Sequence, residues 1–132
     1  MSYLFDTNII SDLIRNPGGK AGERIAVLED GDLKTSIIVA AELRYGVAKK
    51  GSERLTTFVE AVLADFEVLS WEAPADVHYA AVRDSLSRSG QPIGDMDMLI
   101  AAHALALDAV LVTDNEREFS RVPGLKVENW LR

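Results

Sequence analysis

Ala109-Val110-Leu111-Val112 is an unbroken apolar run, closed at once by Thr113-Asp114-Asn115. A strand of this kind buries both of its faces, as strands do in a parallel sheet covered by helices on either side. Parallel neighbours cannot be joined by a tight turn, so each connection crosses over through a dozen or more residues, usually a helix. The run therefore predicts alternation of strand and helix along the rest of the chain.

That alternation can be followed from the first residues. Tyr3-Leu4-Phe5 is a short apolar strand ending at Asp6, and Ile9, Ile10, Leu13 and Ile14 recur at helical spacing until Pro17-Gly18-Gly19 stops them. A second helix is expected over Gly22 to Glu29, an extended piece over Leu33 to Ser36, and a helix from about Ile38 to Tyr45 closed by Gly46. Leu55, Phe58, Val59, Val62, Leu63 and Phe66 keep the spacing of an amphipathic helix, and Val68 to Trp71 reads as a strand. Pro74 suits the first turn of a helix with Ala75, Tyr79, Val82 and Leu86 on one face, ended by Ser89-Gly90-Gln91-Pro92. A helix over about Asp95 to Leu107 precedes the buried run, and a last short strand is expected over Leu125 to Val127. With no repeat and no linker, the expectation is one α/β domain over residues 1–132, its central, mainly parallel sheet flanked by helices on both sides. In such sheets sites gather beyond the carboxyl ends of the strands.

Composition removes several classes of function. A chain of 132 residues, 48% hydrophobic, buries one core and is too short for two ordinary domains. The absence of cysteine excludes a disulfide framework and a thiolate zinc site. Met-Ser-Tyr-Leu-Phe-Asp carries no basic region and an acid at its sixth position, so no signal peptide is expected. The most apolar stretch, Met98 to Val112, is broken by His103 and Asp108 and falls short of the roughly 20 residues a membrane helix needs. A soluble, cytoplasmic protein is expected. The net charge of -7 opposes a protein that coats nucleic acid with Lys and Arg. A metal site built from four acids would take more than half of that excess out of the balance, and bound cations would shift the local field further.

Four acids invite that reading: Asp6, Glu42, Asp97 and Asp114. Asp6 follows the first strand and can face the crevice above the sheet while Thr7 or Asn8 caps the next helix, although an Asp in this position commonly caps a helix itself. Glu42 lies in the apolar turn Val39-Ala40-Ala41-Glu42-Leu43, where an unpaired carboxylate carries a desolvation cost of several kcal/mol that a cation would remove. The competing reading has Glu42 on an exposed face or paired with Arg44, but residues two apart do not face each other on a helix. Asp95 and Asp97 open an apolar helix where the macrodipole favours negative charge. Capping goes to Asp95 and metal binding to Asp97, because Asp97 shares a face with Ile100, Ala101 and Ala104 that must point inward. Asp114 ends the buried strand nearest the sheet, with Asn115 accessory. Mg²⁺ and Mn²⁺ take hard oxygen ligands and keep several waters, so carboxylates from separate elements around an open crevice suit them. One such ion activates water, and a second stabilises the leaving oxygen.

With these residues in view, the whole chain resembles the PIN-domain ribonucleases of the VapC toxin type. The resemblance rests on Asp6-Thr7-Asn8, Ala41-Glu42-Leu43-Arg44-Tyr45-Gly46, Pro92-Ile93-Gly94 with Asp97 and Ile100-Ala101-Ala102-His103-Ala104, and Val112-Thr113-Asp114-Asn115. Glu116-Arg117-Glu118-Phe119 and Val127-Glu128-Asn129-Trp130 extend it. Any one string is weak, but four in order over about a hundred residues are specific. The resemblance implies a PIN-like fold and an endoribonuclease that uses Mg²⁺ or Mn²⁺ at Asp6, Glu42, Asp97 and Asp114. It further implies the toxin of a toxin–antitoxin pair, held inactive by a small cognate antitoxin, often a homodimer, with transfer RNA among the expected substrates.

Other residues read more plainly. His103 in an Ala-rich helix is expected to be packed and hydrogen-bonded rather than a ligand, and His78 to lie at the surface. Gly18-Gly19-Lys20-Ala21-Gly22 lacks the order of a phosphate loop. Arg44, Lys49, Lys50 and Arg54 could hold RNA phosphates, though a solvated face is commoner. Trp71 and Trp130 could mark an antitoxin groove, a dimer face or the core. Two rivals remain in view. A haloacid-type phosphatase wants Asp-x-Asp where this chain has Asp6-Thr7-Asn8, and a catalytically weak RNA- or protein-binding module of the same fold would not need all four acids.

Overall fold

β4 (Val110–Val112) is buried along its whole length, as an inner strand of a helix-covered parallel sheet must be. The computed structural model describes residues 2–132, and Met1, part of the N-terminal reading, lies outside the described residues. Besides β4, the strands are β1 (Tyr3–Phe5), β2 (Lys34–Ser36), β3 (Glu67–Leu69) and β5 (Val127–Glu128). Their order is β3-β2-β1-β4-β5 and every neighbouring pair is parallel, so the expected mainly parallel sheet is wholly parallel among the described residues.

The helices are α1 (Thr7–Arg15), α2 (Lys20–Ala26), α3 (Ile37–Lys50), α4 (Glu53–Ala64), α5 (Ala75–Ser89), α6 (Asp95–Ala106) and α7 (Glu116–Phe119). From β1 the chain steps outward to β2 and β3, then returns to lay β4 on the other side of β1. Right-handed crossovers therefore set α1 to α4 on one face of the sheet and α5 and α6 on the other. The reversal at β1 opens a crevice beyond the carboxyl ends of β1 and β4, the position where open α/β sheets bind ligands.

The core forms where the apolar patterns meet. Ile9 and Ile10 of α1, Val39 and Ala40 of α3, and Ile100, Ala101 and Ala104 of α6 are all fully buried. The small side chains of α6 let it lie close to its neighbours, and the burial of this face turns Asp97 inward, as the spacing predicts. Trp130 is core: its ring stands edge-on to Phe5 at 5.1 Å, and its Nε1 donates to Glu128 Oε1 at 2.9 Å. Trp71 is half-buried and donates to the Leu99 carbonyl. His103 is buried, with Nδ1 2.8 Å from Ser36 Oγ, and burial holds its pKa below the ordinary imidazole value. His78 is half-buried.

Several boundaries differ from the sequence reading. Gly46 does not close α3; the helix runs on through Lys49 and Lys50 to Gly51, whose φ of +65° supplies the left-handed cap that glycine accepts without strain. A side chain at Gly46 would meet open space, so its small size answers no steric need within this chain. α2 starts earlier than expected, at Lys20, and β5 starts later, at Val127. Phe58 falls on the outer side of α4, with Arg54 over its ring at 5.5 Å.

Candidate active site

Asp6 is the residue around which the crevice is organised. It follows β1 directly, is 3% exposed, and is itself the N-cap of α1: its Oδ1 accepts the Thr7 amide at 2.8 Å. The expected capping by Thr7 or Asn8 therefore passes to Asp6, because the cap position falls on the last extended residue. Its second oxygen, Oδ2, accepts the Thr113 hydroxyl at 2.7 Å and the Asn8 side-chain amide at 3.5 Å. Thr113 Oγ1 in turn accepts the Asn115 amide at 3.0 Å, so its one proton is committed to Asp6. Oδ1, which accepts the Thr7 amide alone among these bonds, keeps lone-pair capacity for a further partner. Burial, the largest influence, raises the Asp6 pKa, and the Glu42 charge adds to it, against the lowering effect of the hydrogen bonds from Thr113 and Thr7.

Glu42, half-buried on α3, is held by Thr7, whose hydroxyl donates to its Oε1 at 2.8 Å. The neighbour that might have neutralised it does not: Arg44 is turned away and grips Glu60 at 2.9 Å. Asp97, in the first turn of α6, is half-buried, and its pKa is pushed up to about 6 by desolvation first, then by the charges of Asp6, Glu42 and Glu118. Asp95, expected to cap α6, does not; the cap position is Gly94 and no side chain bonds there, leaving Asp95 as an exposed first-turn acid favoured by the helix dipole.

Asp6, Glu42 and Asp97 come from three elements and line one crevice together with Thr7, Asn8, Ser11, Arg15 and Asn115. Asp114 stands outside this lining. It is exposed, its amide donates to Asn8 Oδ1 at 2.9 Å, and its carboxylate accepts from Asn129 at 3.0 Å. Thr113, which holds Asp6, and Ser11 and Arg15 of the crevice lining are residues that the sequence reading does not single out. The available signal for Thr113 is a hydroxyl at the end of an otherwise apolar inner strand.

The donor set fits a hard divalent cation. All the lining side chains that could ligate are oxygen donors, and burial first, with the charges of Asp6 and Glu42 added to it, makes the ionised form of Asp97 costly when no cation is bound. Among the described residues no three Asp, Glu or His side chains gather tightly enough to cage an ion. Such an open arrangement suits a cation that keeps much of its water and takes one or two carboxylates directly.

Comparison with known proteins agrees with this architecture. A family model described as PIN domain matches residues 3–125. Over 131 residues the chain is 36% identical to the tRNA(fMet)-specific endonuclease VapC of Shigella flexneri, covering 98% of each. It is 36% identical over 134 residues to ribonuclease VapC1 of Haemophilus influenzae strain R2866, covering the whole of both. Among solved structures it is similar to VapBC2 from Rickettsia felis, bound to a DNA fragment from their promoter. The TM-score there is 0.92 at 36% identity, over 98% of this chain and 99% of that one.

Proposed function

The chain belongs to the PIN domain family, and from that premise we propose that it is a divalent-metal-dependent endoribonuclease, the toxin component of a toxin–antitoxin pair. The observation that supports this most directly is the convergence of Asp6, Glu42 and Asp97 on one crevice beyond the carboxyl ends of the strands. The names of the full-length relatives point the same way: endonuclease and ribonuclease.

In this reading Asp6, Glu42, Asp97 and Asp114 are the catalytic and metal-binding acids, the first three within the crevice and Asp114 adding to metal affinity from its rim, with Asn115 accessory. The cation is Mg²⁺ or Mn²⁺, chosen by the all-oxygen donor set. When bound, it lowers the pKa of the attacking water and offsets charge developing on the phosphate. The chain's own part is positional. Thr113 and the Thr7 amide hold Asp6 in one rotamer, and the Thr7 hydroxyl fixes Glu42, so the two carboxylates are oriented before substrate arrives. Cleavage then requires a phosphodiester to lie across the crevice with a water between it and the acids.

The substrate is RNA, with transfer RNA the first class to test, because the Shigella relative is named for it. The partner is a cognate antitoxin, since the similar structures include VapBC complexes. A homodimer acting in the cytoplasm, with residues 1–132 working as one domain, completes the proposal; no helix is long and apolar enough to cross a membrane. The test is incubation of antitoxin-free protein with a cellular RNA pool in Mn²⁺, in EDTA, and as Asp97→Ala. Cutting confined to the wild type in Mn²⁺ is expected; none in any condition would turn the reading toward a binding module of the same fold.

A further inference from the structure

Thr7, Ser11 and Arg15 stand four residues apart on α1, which puts them on one face, and all three line the acidic crevice. At about 1.5 Å per residue, the stripe leads roughly 12 Å from the acids to the end of the helix. Its chemistry changes along that length. The Thr7 hydroxyl is spent on Glu42. Ser11 and Arg15 have no side-chain hydrogen bond or ion pair among the described residues, whereas Arg24, Arg44, Arg88 and Arg132 are each held by a carboxylate at 3.5 Å or less. Arg15 also lines two adjoining hollows, one at the turn between α1 and α2 with Lys20, the other a more apolar groove between α1, α3 and α4 with Lys50. One free guanidinium thus stands where three concavities meet.

We propose that Arg15 binds an RNA phosphate flanking the scissile one, with Lys20 next along the strand's path at the turn between α1 and α2. The inference rests on the endoribonuclease reading and names how that site holds its substrate. A crevice walled by carboxylates repels a polyanion, and a chain of net charge -7 has no general positive field to offset this, so attraction must be local. The planar fork of a guanidinium matches phosphate geometry, and an arginine without a carboxylate partner needs no prior bond broken. A basic residue in the last turn also complements the helix dipole. Any such structural role affects stability and leaves the salt dependence of RNA binding untouched.

The deciding experiment measures fluorescence anisotropy of a labelled single-stranded RNA oligonucleotide of mixed sequence, in EDTA, across a salt series. It is paired with cleavage kinetics in Mn²⁺. For Arg15→Gln the affinity should fall about tenfold and the slope of log K against log salt should shrink by about 0.7, the value of one phosphate contact on a single strand. In Mn²⁺ the loss should fall on KM rather than kcat, thermal stability should hold, and Arg15→Lys should recover part of the slope. Arg88→Gln, an exposed cation paired with Asp84, serves as the control for bulk charge. A wild-type slope in Arg15→Gln, an equal loss in Arg88→Gln, or weakened binding of antitoxin alone would each overturn the assignment. Wild-type protein that binds RNA with the expected Arg15 dependence yet does not cut it would defeat the nuclease reading and leave this contact standing. Protein that neither binds nor cuts would defeat both.

Discussion

Asp6 and Asp114 follow adjacent parallel strands, yet they occupy different worlds. The register pairs Phe5 with Val112, so Asp6 stands level with Thr113, and Asp114 lies one residue further from the sheet. That single step separates a carboxylate 3% exposed and bound by Thr7 and Thr113 from one open to solvent and bonded to Asn129. Depth beyond the strand end, more than the presence of an acid there, sets how rigidly a carboxylate is held. It also sets how much desolvation that carboxylate carries when no cation is bound.

The comparison breaks most sharply at Asp6 itself. Asp6→Asn keeps the shape and much of the hydrogen bonding but removes the charge, and RNA cleavage in Mn²⁺ should fall at least about a thousandfold, roughly 4 kcal/mol of transition-state stabilisation. Single-turnover rates measure it. Retention of full cleavage would remove Asp6 from the machinery and with it the present account of the crevice.

Thr113→Val tests whether rigidity comes from the hydroxyl. The change is nearly isosteric, strips the donor from Asp6 Oδ2, and leaves the Asn115 amide without its acceptor. A stability loss of about 1–3 kcal/mol in urea titration is expected, with a ten- to hundredfold weaker response to Mn²⁺. Thr113→Ser should behave as wild type. If the Val variant cleaves normally, Asp6 is positioned by the helix cap alone.

Thr113 also marks the limit of what could be read from residue types. The apolar run 109–112, the helical spacing of Ile9 to Ile14, and the inward face of α6 are each repeated signals, and the structure follows them. Glu42 was legible for a similar reason: a charge inside an apolar turn demands an explanation. Features decided by a single contact were not legible. Gly46 and Gly51 look alike as letters, and only the geometry after Lys50 tells which one takes positive φ. Whether Gly94 or Asp95 caps α6, and whether Asp114 or Asn115 faces the crevice, turns on one residue of register that no periodicity fixes. The stripe of Thr7, Ser11 and Arg15 was present at regular spacing, but nothing in the sequence said that the acids stood on the same side.

At the outer position the expected effects are smaller. Asp114→Asn should reduce cleavage by about tenfold, or roughly 1.4 kcal/mol, through a loss of metal affinity that excess Mn²⁺ partly restores. Asn129→Ala should reproduce some of this by releasing the Asp114 carboxylate from its bond. A loss as severe as that of Asp6→Asn, unrelieved by metal, would mean that Asp114 turns into the crevice when substrate binds and that the depth argument fails.

The smallest effect concerns the acids without their cation. Asp97 has its pKa raised to about 6, and that of Asp6 is raised as well, both chiefly by desolvation, while in the unfolded chain each returns toward 3.8. Between about pH 4 and 6 the folded state therefore binds more protons than the unfolded one, and stability falls as pH rises through that window. Because Asp97 is half-exposed and screened, the share it contributes is about 1 kcal/mol rather than the full shift. Urea midpoints in EDTA should thus decline from pH 4 to 7, after subtraction of the same series for Asp97→Asn. In saturating Mn²⁺ the sign should reverse, since a cation favours the ionised acids and is displaced by protons. A difference profile flat in EDTA would show that the cost of buried charge is not centred on Asp97, and a decline that persists in Mn²⁺ would show that the cation binds somewhere other than among these three carboxylates.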